Sequence, residues 1–146
     1  MKIGYARSVW AMISLNTRKP ADLLALHGGS IVDYVCDEPC PIEKPSRIKV
    51  TSTEPASSLN AKYSDIDING HVNSIRYIEH ILDLFPIELY KESRIRRFEM
   101  AYVAESYYGD ELTFYKDYVG NGTYDIEVRK NGGEAVCRSK VIFVEK

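Results

Sequence analysis

The chain of 146 residues is 45% hydrophobic, which suits one ordinary core and a single domain. Its 19 basic and 21 acidic residues give a formal net charge of -2, so no overall basic field attracts nucleic acid or an anionic membrane. No apolar run approaches the roughly 20 residues that a membrane helix needs, and the first ten residues lack the apolar segment of a secretory signal. We expect a soluble, cytoplasmic protein with no nucleic-acid or membrane partner.

The cysteines give no sign of a disulfide framework or a metal site. Cys36, Cys40 and Cys137 are an odd number, which argues against structural pairing. Cys36 and Cys40 have no second ligand pair for zinc, and His27 is the only further candidate nearby. We therefore expect no metal and no cofactor.

The amino-terminal third predicts one strand followed by a long connection. Apolar and polar residues alternate from Tyr5 to Leu15 with the period of two that is typical of a strand. Residues 16–46 contain four prolines and two adjacent glycines, which indicate a linker. Within it we expect a short helix from Ala21 to His27, ended by Gly28 and Gly29.

A helix is predicted in the middle of the chain, after weak strand signals at Arg47 to Ser52 and Ala61 to Tyr63. From His71 to Phe85, apolar residues recur every three or four positions, which aligns them along one side of a helix about 22 Å long. Pro86 is expected to end this helix. The apolar stripe consists of Val72, Ile75, Ile78, Ile81, Leu82 and Phe85.

The remainder of the chain predicts an antiparallel meander. The expected strands are Ile95 to Glu105, Glu111 to Val119, Thr123 to Lys130 and Glu134 to Val144, separated by "YYGD", "GNG" and "NGG". In "TYDIEVR" the side chains of Tyr124, Ile126 and Val128 should face a core, and those of Thr123, Asp125, Glu127 and Arg129 should face water. A sheet with one apolar face and one long helix predict an α+β domain, with the sheet wrapped around the helix.

Polar residues are concentrated at the predicted helix start. The segment "YSDIDINGHVNSIRYIEHILD" and the later "MAYVAESYYGDEL" resemble the acyl-acyl carrier protein (acyl-ACP) thioesterases of plants and bacteria, which contain two hotdog domains in tandem. The family pattern Asp-x-Asn-x-His-x-Asn stands here as Asp67, Asn69, His71 and Asn73. The resemblance implies hydrolysis of a fatty acyl-ACP thioester, which releases a free fatty acid.

The resemblance also implies a domain organisation. Residues 1–16 correspond to the last strand of a first hotdog domain, residues 17–46 to a linker, and residues 47–146 to a hotdog thioesterase domain. We therefore expect the chain to be the carboxyl-terminal half of a longer enzyme. A lone hotdog domain is expected to form a homodimer or to pair with another hotdog domain, because its sheet edge would otherwise be open.

Thioester hydrolysis requires an activated water and stabilisation of the negative charge that develops on the carbonyl oxygen. A helix start offers unpaired backbone N–H groups and the positive end of the helix dipole. We expect N–H groups near Val72, together with the Asn69 amide or the His71 imidazole, to polarise the carbonyl. Gly70 would permit a tight turn and a close ligand approach, so it joins Val72 as an expected substrate-binding residue.

The resemblance directs Glu105 to the same site as the first candidate for the general base. Asp67 is the second candidate, or it orients His71 as a carboxylate orients an imidazole. Ser106 occupies the position of the cysteine in plant members, which excludes a thiolate mechanism there. We expect Ser106 and Asn73 to lie in the substrate-binding region, although a helix-surface role fits Asn73 as well.

Other interpretations remain open. Asp67 and Asn69 are also common cap and turn residues, and a single glutamate such as Glu105 is often a solvated strand residue. Acyl-coenzyme A hydrolysis, hydratase chemistry and a catalytically incomplete remnant are alternative functions. "KESRIRRFE" contains Lys91, Arg94, Arg96 and Arg97, which form either a docking patch for an acidic carrier protein or a solvated charge run.

Overall fold

The protein is described by a computed structural model that covers residues 3–36 and 38–146. The chain divides into two compact units, Met1–Pro45 and Ser46–Lys146. Within the described residues, all α-helices and strands belong to the second unit, and no helix is long and apolar enough to cross a membrane.

The first unit differs from the prediction. No strand forms at Tyr5 to Leu15, where the backbone makes only an isolated bridge between Ile13 and Pro20. A period-two pattern favours a strand, but the strand exists only where a neighbour satisfies its backbone groups. The predicted helix at Ala21 to His27 is replaced by a 3₁₀ segment, Leu23–Tyr34, which continues through both glycines.

The second unit is an α+β domain, as predicted. Its five strands form one sheet in the order β1-β3-β4-β5-β2, and every neighbouring pair is antiparallel. The strands are β1 (Pro55–Asn60), β2 (Ser93–Tyr102), β3 (Glu111–Gly120), β4 (Thr123–Lys130) and β5 (Glu134–Glu145), and the helices are α1 (Ser74–Leu82) and α2 (Ile87–Glu92).

Two hairpin turns connect β3, β4 and β5. Asn121 and Gly122 have positive φ angles in the first turn, and Asn131 and Gly132 have them in the second. Positive φ angles at two successive residues are typical of tight hairpin turns, whose twist matches that of the strands they join. These two turns are confirmed, and β3, β4 and β5 form the predicted antiparallel meander. Strand β2, predicted as its first strand, instead pairs with β5 at the edge of the sheet.

Helix α1 is shorter than predicted, at about 13 Å, because it begins at Ser74 and ends at Leu82. The Asn73 side chain caps it by accepting a hydrogen bond from the backbone N–H of Ile75 at 3.0 Å. Pro86 does not end this helix but is the N-cap residue of α2. A proline suits the start of a helix, where no backbone N–H is required of it.

The apolar stripe of α1 is confirmed in part. Ile81 and Phe85 are buried, but Ile75 is 56% exposed and Tyr77 occupies the interior instead. A helix start three residues later than predicted changes which early side chains face the sheet. The buried core consists of Ala61, Val72, Tyr77, Ile81, Phe85, Leu112, Phe114, Ile126, Val128, Val136, Cys137, Val141 and Phe143.

The face of the sheet opposite α1 is not open to water at its centre. Asp125 and Glu127 were predicted to be solvated, yet both are buried. Their charges are compensated: Glu127 pairs with Arg129 and Arg138, each at 2.7 Å, and Asp125 pairs with Lys140 at 2.8 Å. The hydrogen bonds from these two arginines outweigh the effect of burial and lower the pKa of Glu127.

The segment at residues 46–52 contributes to this burial. The backbone N–H of Ser46 donates to Glu99 at 2.8 Å, and that of Thr51 donates to Asp117 at 2.6 Å. A cleft between this segment and the sheet is lined by Glu127 among others. The predicted strand at Arg47 to Ser52 is therefore wrong, because side-chain carboxylates hold this segment, and the position beside β3 belongs to the polar β1.

Candidate active site

The loop before α1 is organised by the carboxylate of Asp67. Its Oδ1 accepts the backbone N–H groups of Asn69 at 2.8 Å and His71 at 3.2 Å. The Asp67 backbone N–H donates to the His71 carbonyl at 2.8 Å, and Gly70 turns the chain with a φ of 83°. A residue with a Cβ would be strained at that angle, so the sequence Asp-Ile-Asn-Gly-His closes a compact loop.

These bonds change the acidity of Asp67. Burial would raise the pKa of this carboxyl, but the backbone hydrogen bonds of His71 and Asn69, with the charge of His71, outweigh burial and lower the pKa below its usual 3.8. A carboxylate of lowered pKa is a weak base at neutral pH. The local geometry thus makes Asp67 an organiser of the loop.

His71 and Glu105 meet at the end of this loop. The imidazole Nε2 lies 3.5 Å from Glu105 Oε2, and the two side chains are 32% and 59% exposed. The Tyr107 hydroxyl donates to the same Oε2 at 3.1 Å. The Tyr107 ring contacts the imidazole edge-on, with 5.2 Å between ring centroids. The fold thus brings together an imidazole, a carboxylate and a phenol at an accessible position.

The main chain beside this group is also fixed. The backbone at His71 forms an antiparallel bridge with Tyr107, and the Val72 N–H donates to the Ser106 carbonyl at 2.8 Å. The Lys130 ammonium donates to the Glu105 carbonyl at 2.7 Å. Glu105 follows the end of β2 and is not in a strand. Its backbone is therefore held by these contacts and not by the hydrogen bonds of the sheet.

Ser106 faces the interior. Its side chain is 1% exposed, and its hydroxyl shares a short hydrogen bond with the phenol of Tyr77, which α1 supplies. The structure therefore does not place this hydroxyl with the exposed pair of His71 and Glu105. The substrate-binding role predicted for Ser106 stays a prediction.

The backbone N–H groups near Val72, which were expected to polarise the carbonyl, are engaged in other hydrogen bonds, and the substrate-binding role predicted for Val72 stays a prediction. Its backbone N–H is already donated to Ser106, and that of Asn73 is donated to the Asp65 carbonyl at 2.7 Å. The N–H of Gly70 is likewise donated, to the Asp67 carbonyl at 3.0 Å. Of these residues only Asn73, the N-cap residue, adjoins the helix start, because α1 begins at Ser74. These N–H groups hold the loop, and the Asn69 amide and the His71 imidazole remain as candidate donors to a substrate.

The two asparagines of the motif occupy different places. Asn69 is exposed, and its side-chain amide lies close enough to Asp67 to contribute to that group's lowered pKa. Asn73 caps α1 through its side-chain oxygen. Asn73 therefore has a clear local role, whereas Asn69 is exposed and its side chain contacts Asp67.

Sequence reasoning missed Tyr107, Lys130 and Tyr77 as neighbours of the site. Only the position of Tyr107 could have been predicted from the sequence. It comes two residues after Glu105, and side chains two apart lie on the same face of extended backbone. Lys130 comes from the end of β4 and Tyr77 from α1. Their roles depend on contacts between distant segments, which a local pattern does not show.

No group of three or more histidine, cysteine, aspartate or glutamate side chains in residues 3–36 and 38–146 has an arrangement suited to a metal ion. The side chain of His27 lies outside the described part of the chain.

One helix packed against a single antiparallel five-stranded sheet makes this unit a hotdog domain. The sequence profile of the family described as acyl-ACP thioesterase C-terminal domain matches residues 48–145. The chain belongs to this family.

Among solved structures, an acyl-ACP thioesterase from Bacteroides thetaiotaomicron is similar to 90% of this chain and 53% of its own, with 76% identity and a TM-score of 0.84. The 12:0-ACP thioesterase from Umbellularia californica shares the fold over 92% of this chain and 53% of its own, at 18% identity and a TM-score of 0.72. A chloroplastic palmitoyl-acyl carrier protein thioesterase from Arabidopsis thaliana is 28% identical over 68% of this chain and 26% of its own. The chain thus spans about half of these solved relatives and about a quarter of the curated one.

Cysteine chemistry at the core is testable by thiol labelling. Burial raises the pKa of the Cys137 thiol to about 12, whereas Cys36 and Cys40 are exposed. We expect a disulfide reagent such as DTNB at pH 8 to label two thiols in the folded protein and the third only in denaturant. The double variant Cys36→Ser/Cys40→Ser is the control and should react only after unfolding. Rapid labelling of that folded variant would contradict the burial of Cys137.

Proposed function

We propose that this chain carries the hydrolytic site of an acyl-ACP thioesterase and releases a free fatty acid from acyl carrier protein. The observation that carries this proposal is the exposed pair of His71 and Glu105, set beside a loop that is held rigid by Asp67. Membership of the acyl-ACP thioesterase C-terminal domain family supports a thioester as the substrate. The names of the solved and curated relatives support acyl carrier protein as its carrier.

In this proposal Glu105 is the general base. It takes a proton from water, and the water oxygen attacks the carbonyl carbon of the thioester. Asp67 suits this role less well, because its carboxylate already accepts two backbone hydrogen bonds and its pKa is lowered. The imidazole of His71 lies beside Glu105. It is therefore a polar neighbour of the Glu105 side chain both before and after Glu105 takes the proton.

The remaining steps follow from charge balance. As the new C–O bond forms, the carbonyl electron pair moves to oxygen, and the exposed Asn69 amide donates a hydrogen bond to that oxyanion. One such donor contributes about 2.7–4 kcal/mol of transition-state stabilisation. When the tetrahedral intermediate collapses, the C–S bond breaks, and the thiolate of the phosphopantetheine arm takes the proton that Glu105 holds. The products are a fatty acid and the carrier thiol.

Replacement of Glu105 is the direct test. Glu105→Gln should lower kcat on fatty acyl-ACP by about 10² or more, because an amide does not accept the proton from water. Asp67→Asn is a matched carboxylate control: it keeps an oxygen that accepts the loop N–H groups, so it should cost less. Measurement of kcat and KM on acyl-ACP and on acyl-coenzyme A gives both the rate and the preferred carrier.

Ser106 provides a second control for the same reaction. Ser106→Ala should reduce stability, because it leaves the buried Tyr77 hydroxyl without its partner, but should change kcat only slightly. A parent-like rate for Glu105→Gln would remove the proposed base. An acyl group trapped on Ser106 in the parent would replace water by a serine nucleophile.

A basic patch on β2 is the proposed docking surface for the carrier. Arg94 and Arg96 are exposed, whereas Arg97 is held by Glu99 at 2.5 Å. Acyl carrier proteins are acidic, and opposite charges accelerate encounter more than they tighten a complex. This makes Arg94 and Arg96, and not Arg97, the charges available to a partner.

Charge reversal tests the docking patch. Arg94→Glu/Arg96→Glu should lower kcat/KM on acyl-ACP by about tenfold at low salt, with less loss at high salt, because electrostatic steering is screened. The rate on acyl-coenzyme A is the internal control and should change little. Equal kcat/KM for parent and variant on acyl-ACP at low salt would identify the patch as a solvated charge run.

We also propose that this chain pairs with a second copy of itself along β2. Strand β2 is at one edge of the sheet, next to β5, and edge strands offer unpaired backbone groups to another chain. Exposed apolar side chains at its end, Tyr102 and Val103, add surface that pairing would cover.

Light scattering in line with gel filtration tests this pairing. We expect the parent to have twice the chain mass and Val103→Lys to be monomeric at the same concentration, because a charge at the interface is costly to bury. Val119→Lys is the matched control: Val119 is similarly exposed but lies on β3, away from β2, so this variant should remain a dimer. A monomeric parent would contradict the proposal.

A further inference from the structure

Glu105 needs a restraint that its own position does not supply. Its side chain is 59% exposed and belongs to an irregular segment between β2 and β3. A free glutamate side chain must lose rotamer freedom before it occupies one geometry. A general base must nevertheless lie within hydrogen-bond reach of the proton that it takes.

Tyr107 provides contacts that restrict this freedom. Its hydroxyl donates to Glu105 Oε2 at 3.1 Å, and that same oxygen faces His71 Nε2. A hydrogen bond from the phenol and the nearby imidazole therefore converge on one carboxylate oxygen. The phenol defines the rotamer in which the carboxylate stays next to His71.

The tyrosine is itself held in place. Its backbone N–H donates to Asp110 Oδ2 at 2.8 Å, and Asp110 Oδ1 accepts the side-chain amide of Asn131 at 2.9 Å. Lys130 lies 5.9 Å from the ring centroid and also donates to the Glu105 carbonyl. The β4–β5 turn, which contributes Lys130 and Asn131, thus supports both the ring and the backbone of the glutamate.

We propose that Tyr107 is a positioning residue that holds the Glu105 carboxylate against the His71 imidazole. The inference rests on the proposed thioester hydrolysis for its kinetic consequences and on the hydrogen-bond geometry for its structural ones. Tyr107 acts through Glu105 and takes no proton from substrate or water. Its ring, in edge-to-face contact with the imidazole, limits movement of His71 in the same way.

The variant Tyr107→Phe removes the hydroxyl and keeps the ring. We expect kcat to fall by about tenfold or more, the effect of losing a hydrogen bond to a charged group, with KM within about twofold of the parent. Tyr108→Phe is the matched control: it removes the same group from the neighbouring tyrosine, whose side chain is 71% exposed, and should leave kcat unchanged. Equal melting temperatures for the three proteins would show that the loss does not come from unfolding.

A double-mutant cycle distinguishes positioning from an independent contribution. If Tyr107 acts through Glu105, Tyr107→Phe should have little further effect on the residual rate of Glu105→Gln. A parent-like kcat for Tyr107→Phe would overturn the proposal. An equal loss in the parent and in the Glu105→Gln background would overturn it as well, because the tyrosine would then act on its own.

A crystal structure of Tyr107→Phe gives a result that does not depend on activity. We expect the Glu105 carboxylate to leave the imidazole or to occupy several rotamers. A carboxylate that keeps its single position beside His71 would overturn the positioning role even if the parent hydrolyses no thioester. Hydrolysis by the parent and its loss in Glu105→Gln test the proposed function separately.

Discussion

The backbone hydrogen bond from Val72 to Ser106, at 2.8 Å, is the interaction on which the site depends. It joins the loop before α1 to the irregular segment after β2, and the bridge between His71 and Tyr107 extends the same connection by one residue. Without it, the imidazole and the carboxylate would belong to two separately mobile segments. The site is therefore a product of main-chain pairing between segments, on which side chains are then arranged.

This connection explains why the backbone donors of the loop are not available to a substrate. The N–H groups at residues 69–73 are all used to fix the loop to itself or to its neighbours. Their use stabilises a fixed geometry, which favours catalysis because little reorganisation is then needed during the reaction. In the proposed mechanism the chemistry is carried by side chains at the surface, namely the amide of Asn69, the imidazole of His71 and the carboxylate of Glu105. Asp67 supports them indirectly, because its carboxylate accepts the backbone N–H groups of Asn69 and His71.

The opposite face of the sheet follows the same physical rule. Buried carboxylates on β4 are tolerated because arginine and lysine side chains pair with them. Residues 46–52 lie over the same face, where their backbone N–H groups donate to the carboxylates of Glu99 and Asp117. Both faces of the sheet are therefore covered at the centre, one by α1 and the other by an irregular segment. The two edge strands of the sheet, β1 and β2, keep unpaired backbone groups on their outer sides.

The sequence alone determined the parts that depend on near neighbours. Strand signals predicted β3, β4 and β5, with period-two alternation in β4, and asparagine and glycine predicted their turns. The spacing of Asp67, Asn69, His71 and Asn73 directed attention to the candidate site through a family resemblance. Tertiary structure decided the rest: that α1 begins at Ser74, that Val72 donates to Ser106, and that Tyr107 contacts Glu105 and His71. The contacts of Val72 and His71 join segments that lie far apart along the chain, and such contacts exist only once the helix and the sheet have packed together.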